Sequence, residues 1–91
     1  MHTRQDILTI VSEFLQSEIE LGLIVLETAG VLPNPDLVRK FRERARRASE
    51  IVSHCLATGL VENAERDRIR VELESLDRRL LGQGVFLKRP F

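Results

Sequence analysis

The chain has 91 residues with 14 basic and 14 acidic side chains, so its formal charge is zero and it lacks the global attraction to phosphate of a dedicated nucleic-acid binder. Hydrophobic residues make up 43% and charged residues 31%, with three Pro and five Gly, a balance that excludes a disordered chain and predicts a packed core. Aromatic residues are only 4%, with no Trp or Tyr, so that core must be aliphatic and stacking platforms for bases or sugars are absent.

A single domain over residues 1–91 is expected at this length. Thr3, three residues ahead of Asp6, forms a capping-box pattern, and the first helix is expected over 4–30. Residues 100° apart put Ile7, Leu8, Val11, Phe14, Leu15, Ile19, Leu21, Val25, Leu26 and Ala29 on one wide apolar face. Leu23 and Ile24 break the opposite, polar side. Around that turn the helix is apolar on nearly its whole circumference, as where more than one neighbour covers it. Two readings follow: self-association through helix one, or cover by the rest of the same chain.

Gly30 and Pro33-Asn34-Pro35 end that helix, and Asn34 followed by Pro35 reads as N-cap and first helical position. The second helix is expected over 35–58, with Leu37, Val38, Phe41, Ala45, Ala48, Ile51, Val52, Cys55 and Leu56 on its apolar face and Gly59 as its stop. The tight connection makes helices one and two antiparallel neighbours. Asn63 is the best N-cap for a third helix over 63–81, whose seam is Ile69, Leu73, Leu76 and Leu80. The tail, 82–91, holds Val85, Phe86 and Phe91, and two of the chain's four Phe in so short a piece predict that it docks. The expected architecture is therefore all-α: a three-helix antiparallel bundle with an apolar, docked C-terminal tail.

Several residues could carry chemistry or binding. Glu18 sits at the centre of helix one's apolar face, where a carboxylate is costly unless paired; Arg44 and Arg66 are its candidate partners. Gly22, one turn on, permits close helix approach, or with Glu18 could line a small pocket. Helix two carries the one basic run, with Arg39, Arg42, Arg46 and Arg47 as candidate phosphate contacts. Arg39 with Glu43, Glu43 with Arg47, and Arg46 with Glu50 could instead neutralise that run along the helix.

Glu65 and Asp67 open helix three, where a recognition helix would need to approach phosphate, so nucleic acid is not the expected partner. One cysteine and two histidines provide no zinc spacing, and His54 and Cys55, adjacent on a helix, point about 100° apart and cannot form a dyad. No cofactor is expected, and Cys55 reads as a small core residue. Its solitude, and an N-terminus without signal-peptide order, make the cytoplasm the expected compartment. The most apolar stretch, Ile19 to Leu32, is interrupted by Glu20 and Glu27 and predicts no membrane span.

The stretch Glu65 to Leu81, ERDRIRVELESLDRRLL, resembles the long first helix of helical chorismate mutases. It covers under a fifth of the chain, stands at the opposite end from that helix, and lacks the basic residue expected further along it. No family is assigned on it. The functional expectation is a small interaction module, an adaptor, regulator or accessory subunit, that forms a homo-oligomer, with a dimer favoured, through helix one and meets an unknown protein partner.

Overall fold

A computed structural model describes residues 3–87. Its helices are α1 (Arg4–Ala29), α2 (Pro35–Ala57) and α3 (Asn63–Gly82), each within a residue of the expected bounds. The three pack on one another as a bundle. Arg42 meets Gln83 and Ser49 meets Asp77, an opposite order that sets α2 and α3 antiparallel. Gln5 meets Glu62 and Leu26 meets Gln83, so α1 and α3 run the same way.

The helix ends follow the local chemistry. The Thr3 side chain accepts from the Asp6 amide while Asp6 accepts from the Thr3 amide, closing the capping box. Asn34 Oδ1 accepts from the amides of Asp36 and Leu37 at 2.9 and 3.4 Å, ahead of Pro35 at the first helical position. Gly59 has φ 73°, the left-handed backbone that a helix stop requires. The expectation at α3 needs correcting: the N-cap is Glu62, without a side-chain cap bond, and Asn63 is already helical.

The core is aliphatic. Leu15, Ile19 and Leu26 of α1 meet Ala45, Ala48 and Val52 of α2 and the seam Ile69, Leu73, Leu76 and Leu80 of α3. Each fully buried Leu or Ile contributes roughly 1.5–3 kcal/mol of apolar transfer. The alanines of α2 keep its axis close to α1.

The face that α1 buries differs from the expected one. Ser12, Leu15, Ile19, Gly22, Leu26 and Ala29 are inside, a seam of alternating three- and four-residue steps. Ile7, Phe14 and Leu21, expected in the core, stand exposed, while Val11, Val25, Phe41 and Ile51 are half-buried. Helix one is apolar over more of its circumference than two neighbours can cover.

The tail divides. Val85 and Leu87 pack against the core, and the Val85 amide donates to the Leu80 carbonyl at 3.0 Å after Gly84 turns at φ 81°. Phe86 between them is 86% exposed, against the expectation of a wholly docked tail. Phe91 lies outside the described residues.

Candidate interaction surface

Outside the core, α1 carries a second seam. Ile7, Ile10, Phe14, Leu21 and Ile24 are all between 38% and 59% exposed. With Ser17 they recur in steps of three and four, the spacing of a coiled-coil seam. Ile10, Phe14, Leu21 and Ile24 each lie two residues from a buried position, Phe14 from Ser12 and Leu21 from Ile19, so at 100° per residue the two seams are about 160° apart. One helix therefore offers apolar stripes to its own bundle and to solvent on opposite sides.

The turn predicted to be apolar all round is resolved by this geometry. Leu23 packs on the bundle's own core, whereas Ile24, 59% exposed, belongs to the outer stripe. Ile10 was absent from the expected apolar face, although the 7, 10, 14, 17, 21, 24 spacing is written in the sequence. Singly exposed apolar residues need no explanation, but five on one side of one helix do.

Glu18 borders this stripe on the α2 side. Its two carboxylate oxygens accept from one nitrogen of Arg44, at 3.1 and 2.9 Å, and its side chain is only 12% exposed against 36% for Arg44. Both oxygens being engaged, the pair reads as a tie between α1 and α2 in place of a ligand pocket. Arg66 does not join it. That guanidinium lies beside Gly59, 3.8 Å from where a Cβ there would stand, in a groove shared with Thr3, Leu8 and Val61. Gly22 faces inward: a Cβ on it would stand 3.0 Å from a Leu76 methyl and 3.5 Å from the Ala48 Cβ.

The basic run of α2 is largely committed. Arg39 pairs with Asp36 at 3.2 Å, Arg42 donates to Gln83 Oε1 at 3.0 Å, and Arg46 bridges Glu43 and Glu50. The hydrogen bond from Arg46 holds the Glu43 carboxyl below the usual carboxylate range. Lys40 and Arg47 have no ion-pair partner among the described residues. Of the three expected pairs, Arg46 with Glu50 forms, while Arg39 pairs with Asp36 in place of Glu43 and Glu43 with Arg46 in place of Arg47.

Gln83 was not singled out from sequence. It takes the Arg42 guanidinium on one side and donates to the Leu26 carbonyl at 3.2 Å on the other, joining all three helices. Its place between Gly82 and Gly84 is the one signal, since the turn there brings a polar side chain back over the bundle end.

Cys55 packs against the core, and burial pushes its thiol above the ordinary value; His54 is exposed. Among the described residues no group of His, Cys, Asp or Glu could hold a metal ion, and no helix is long and apolar enough to cross a membrane. No protein-family model matches the chain, and comparison with curated proteins and with solved structures finds no match either.

Proposed function

We propose that the protein is a helical protein–protein interaction module that self-associates through the outer stripe of α1. The observation that carries this reading is Ile7, Ile10, Phe14, Leu21 and Ile24 at coiled-coil spacing on the solvent side of a helix whose other side is the core. A lone amphipathic helix needs one apolar stripe to fold onto its bundle; a second, directed outward, is stabilised only by another surface. The nucleic-acid reading has less support, because Arg39, Arg42 and Arg46 already have partners within the chain. The pocket reading loses its centre to the Glu18–Arg44 pair.

Sedimentation velocity tests the reading. The wild-type chain should run at the mass of two copies, and Ile10→Asp combined with Ile24→Asp should run as one, with helical circular dichroism unchanged. Losing two apolar contacts and placing two carboxylates in the interface should weaken association at least about a hundredfold, on the order of 3 kcal/mol. A wild-type chain that stays monomeric at high concentration ends the proposal.

A further inference from the structure

The outer stripe of α1 is bordered by opposite charges on its two sides. Glu13, Glu20 and Glu27, seven residues apart, line one border; all three are exposed and none has an ion-pair partner among the described residues. The other border is α2. Its Arg42 and Ser49 face α3, through Gln83 and Asp77, and its Arg44 reaches α1 through Glu18. At 100° per residue, Lys40 and Arg47 lie one step further round, on the side of α2 that shares a surface with the stripe. Arg39, Lys40, Arg44 and Arg47, with Glu43 among them, line a shallow groove on α2.

This surface is complementary to itself in only one orientation. If two copies pair through α1 with the helices antiparallel, a two-fold axis sets acidic border against acidic border and basic against basic. If α1 runs parallel to its copy, the axis lies along the helices, and each acidic border meets the partner's basic one. Like charges opposed along a helix pair are repulsive, so charge selects the second arrangement.

Resting on the self-association reading above, we propose that the occupant of the stripe is α1 of a second copy in parallel orientation. Glu13, Glu20 and Glu27 of each chain then face Lys40 and Arg47 of the other. The surface runs about 30 Å along α1 from residue 7 to residue 27 and is about 20 Å wide as two helix diameters, roughly 600 Å² per partner. That is at the lower end of specific stable interfaces. The start of α1 and the end of α3 of both chains fall at matching ends, so the dimer offers any further partner two copies of each side by side.

Cross-linking tests the orientation separately from the association. In a Cys55→Ser background, Ile10→Cys, Ser17→Cys and Ile24→Cys are each treated with a short bis-maleimide. Parallel pairing sets every residue of the stripe opposite its own copy, so all three variants should link. Antiparallel pairing centred near Ser17 would hold the two copies of residue 10 about 21 Å apart, beyond the linker's reach. A dimer in which only Ser17→Cys links, or in which mixed Ile10→Cys and Ile24→Cys chains link to each other, overturns the parallel arrangement and leaves self-association standing. A monomer in sedimentation removes both.

Charge provides a second readout. Glu13→Lys, Glu20→Lys and Glu27→Lys together should weaken the dimer at least tenfold at low salt, and about 0.5 M salt should weaken the wild type in the same direction. A triple variant that dimerises as tightly as the wild type overturns the charge pairing.

Discussion

Gly22→Ala sets two known effects against each other at the tightest point of the bundle. Replacing a helix-interior glycine by alanine stabilises by about 1 kcal/mol when the new methyl meets nothing. Here the methyl would stand 3.0 and 3.1 Å from the two Leu76 δ-carbons, and 3.5 Å from the Ala48 Cβ. Carbon atoms prefer about 3.5–4.0 Å, so Leu76 must move by roughly half an ångström. Leu76 is fully buried, so it can shift only against its neighbours in the core. Overpacking of that kind costs about 1–3 kcal/mol, which leaves a net loss of about 1 kcal/mol. Thermal unfolding followed by circular dichroism at fixed protein concentration should show this as a drop of about 4–8 °C. Leu76→Ala alone should cost about 2–5 kcal/mol. In that background the wall is gone, and Gly22→Ala should now stabilise, giving a coupling of about 2 kcal/mol between the two sites. If Gly22→Ala raises stability equally in both backgrounds, the close approach of α1 to α3 is refuted.

Other consequences follow from single contacts. Arg44→Met should lose about 1–2 kcal/mol, below the range for a fully buried pair because Arg44 is 36% exposed, and adding Glu18→Leu should recover most of it; chemical denaturation reads both, and a harmless Arg44→Met would show the tie to be idle. Asn34→Ala removes the acceptor for two amides at the start of α2 and should cost about 1 kcal/mol by the same measurement, whereas Asn34→Asp should be close to neutral. For Cys55 the sign follows from burial disfavouring the thiolate. Its stabilising contribution is complete below the unfolded thiol value and is lost as pH rises from there through the raised folded value. Alkylation near pH 8.5 should accordingly be several-fold slower in the folded chain than in denaturant, and equal rates would contradict the packed position.

Much of the architecture was legible in the residues. Thr3, Asn34-Pro35 and Gly59 are local chemistry, acting within a few residues of chain, so the helix ends could be placed before any packing was considered. The narrow seam of α3 was equally plain, because most of the helix around Ile69, Leu73, Leu76 and Leu80 is charged. Glu18 needing a partner followed from its surroundings, and Arg44 was one of two candidates; choosing between them required knowing which helix lies beside which turn. Arg66 was excluded by its height in the bundle, not by its type.

The decisive ambiguity lay in α1. Its sequence holds two apolar seams offset by two residues, and periodicity alone merges them into one broad face, which is why Ile7, Phe14 and Leu21 were expected inside and Ile10 was overlooked. Burial is a property of the neighbours. Once α2 and α3 close over Leu15, Ile19 and Leu26, the opposite stripe has no part of the described chain left to cover it. Sequence determined that α1 is too apolar for one side; only the placement of the other two helices decided which side faces out, because hydrophobic attraction has no direction and takes whichever face the packing leaves to it.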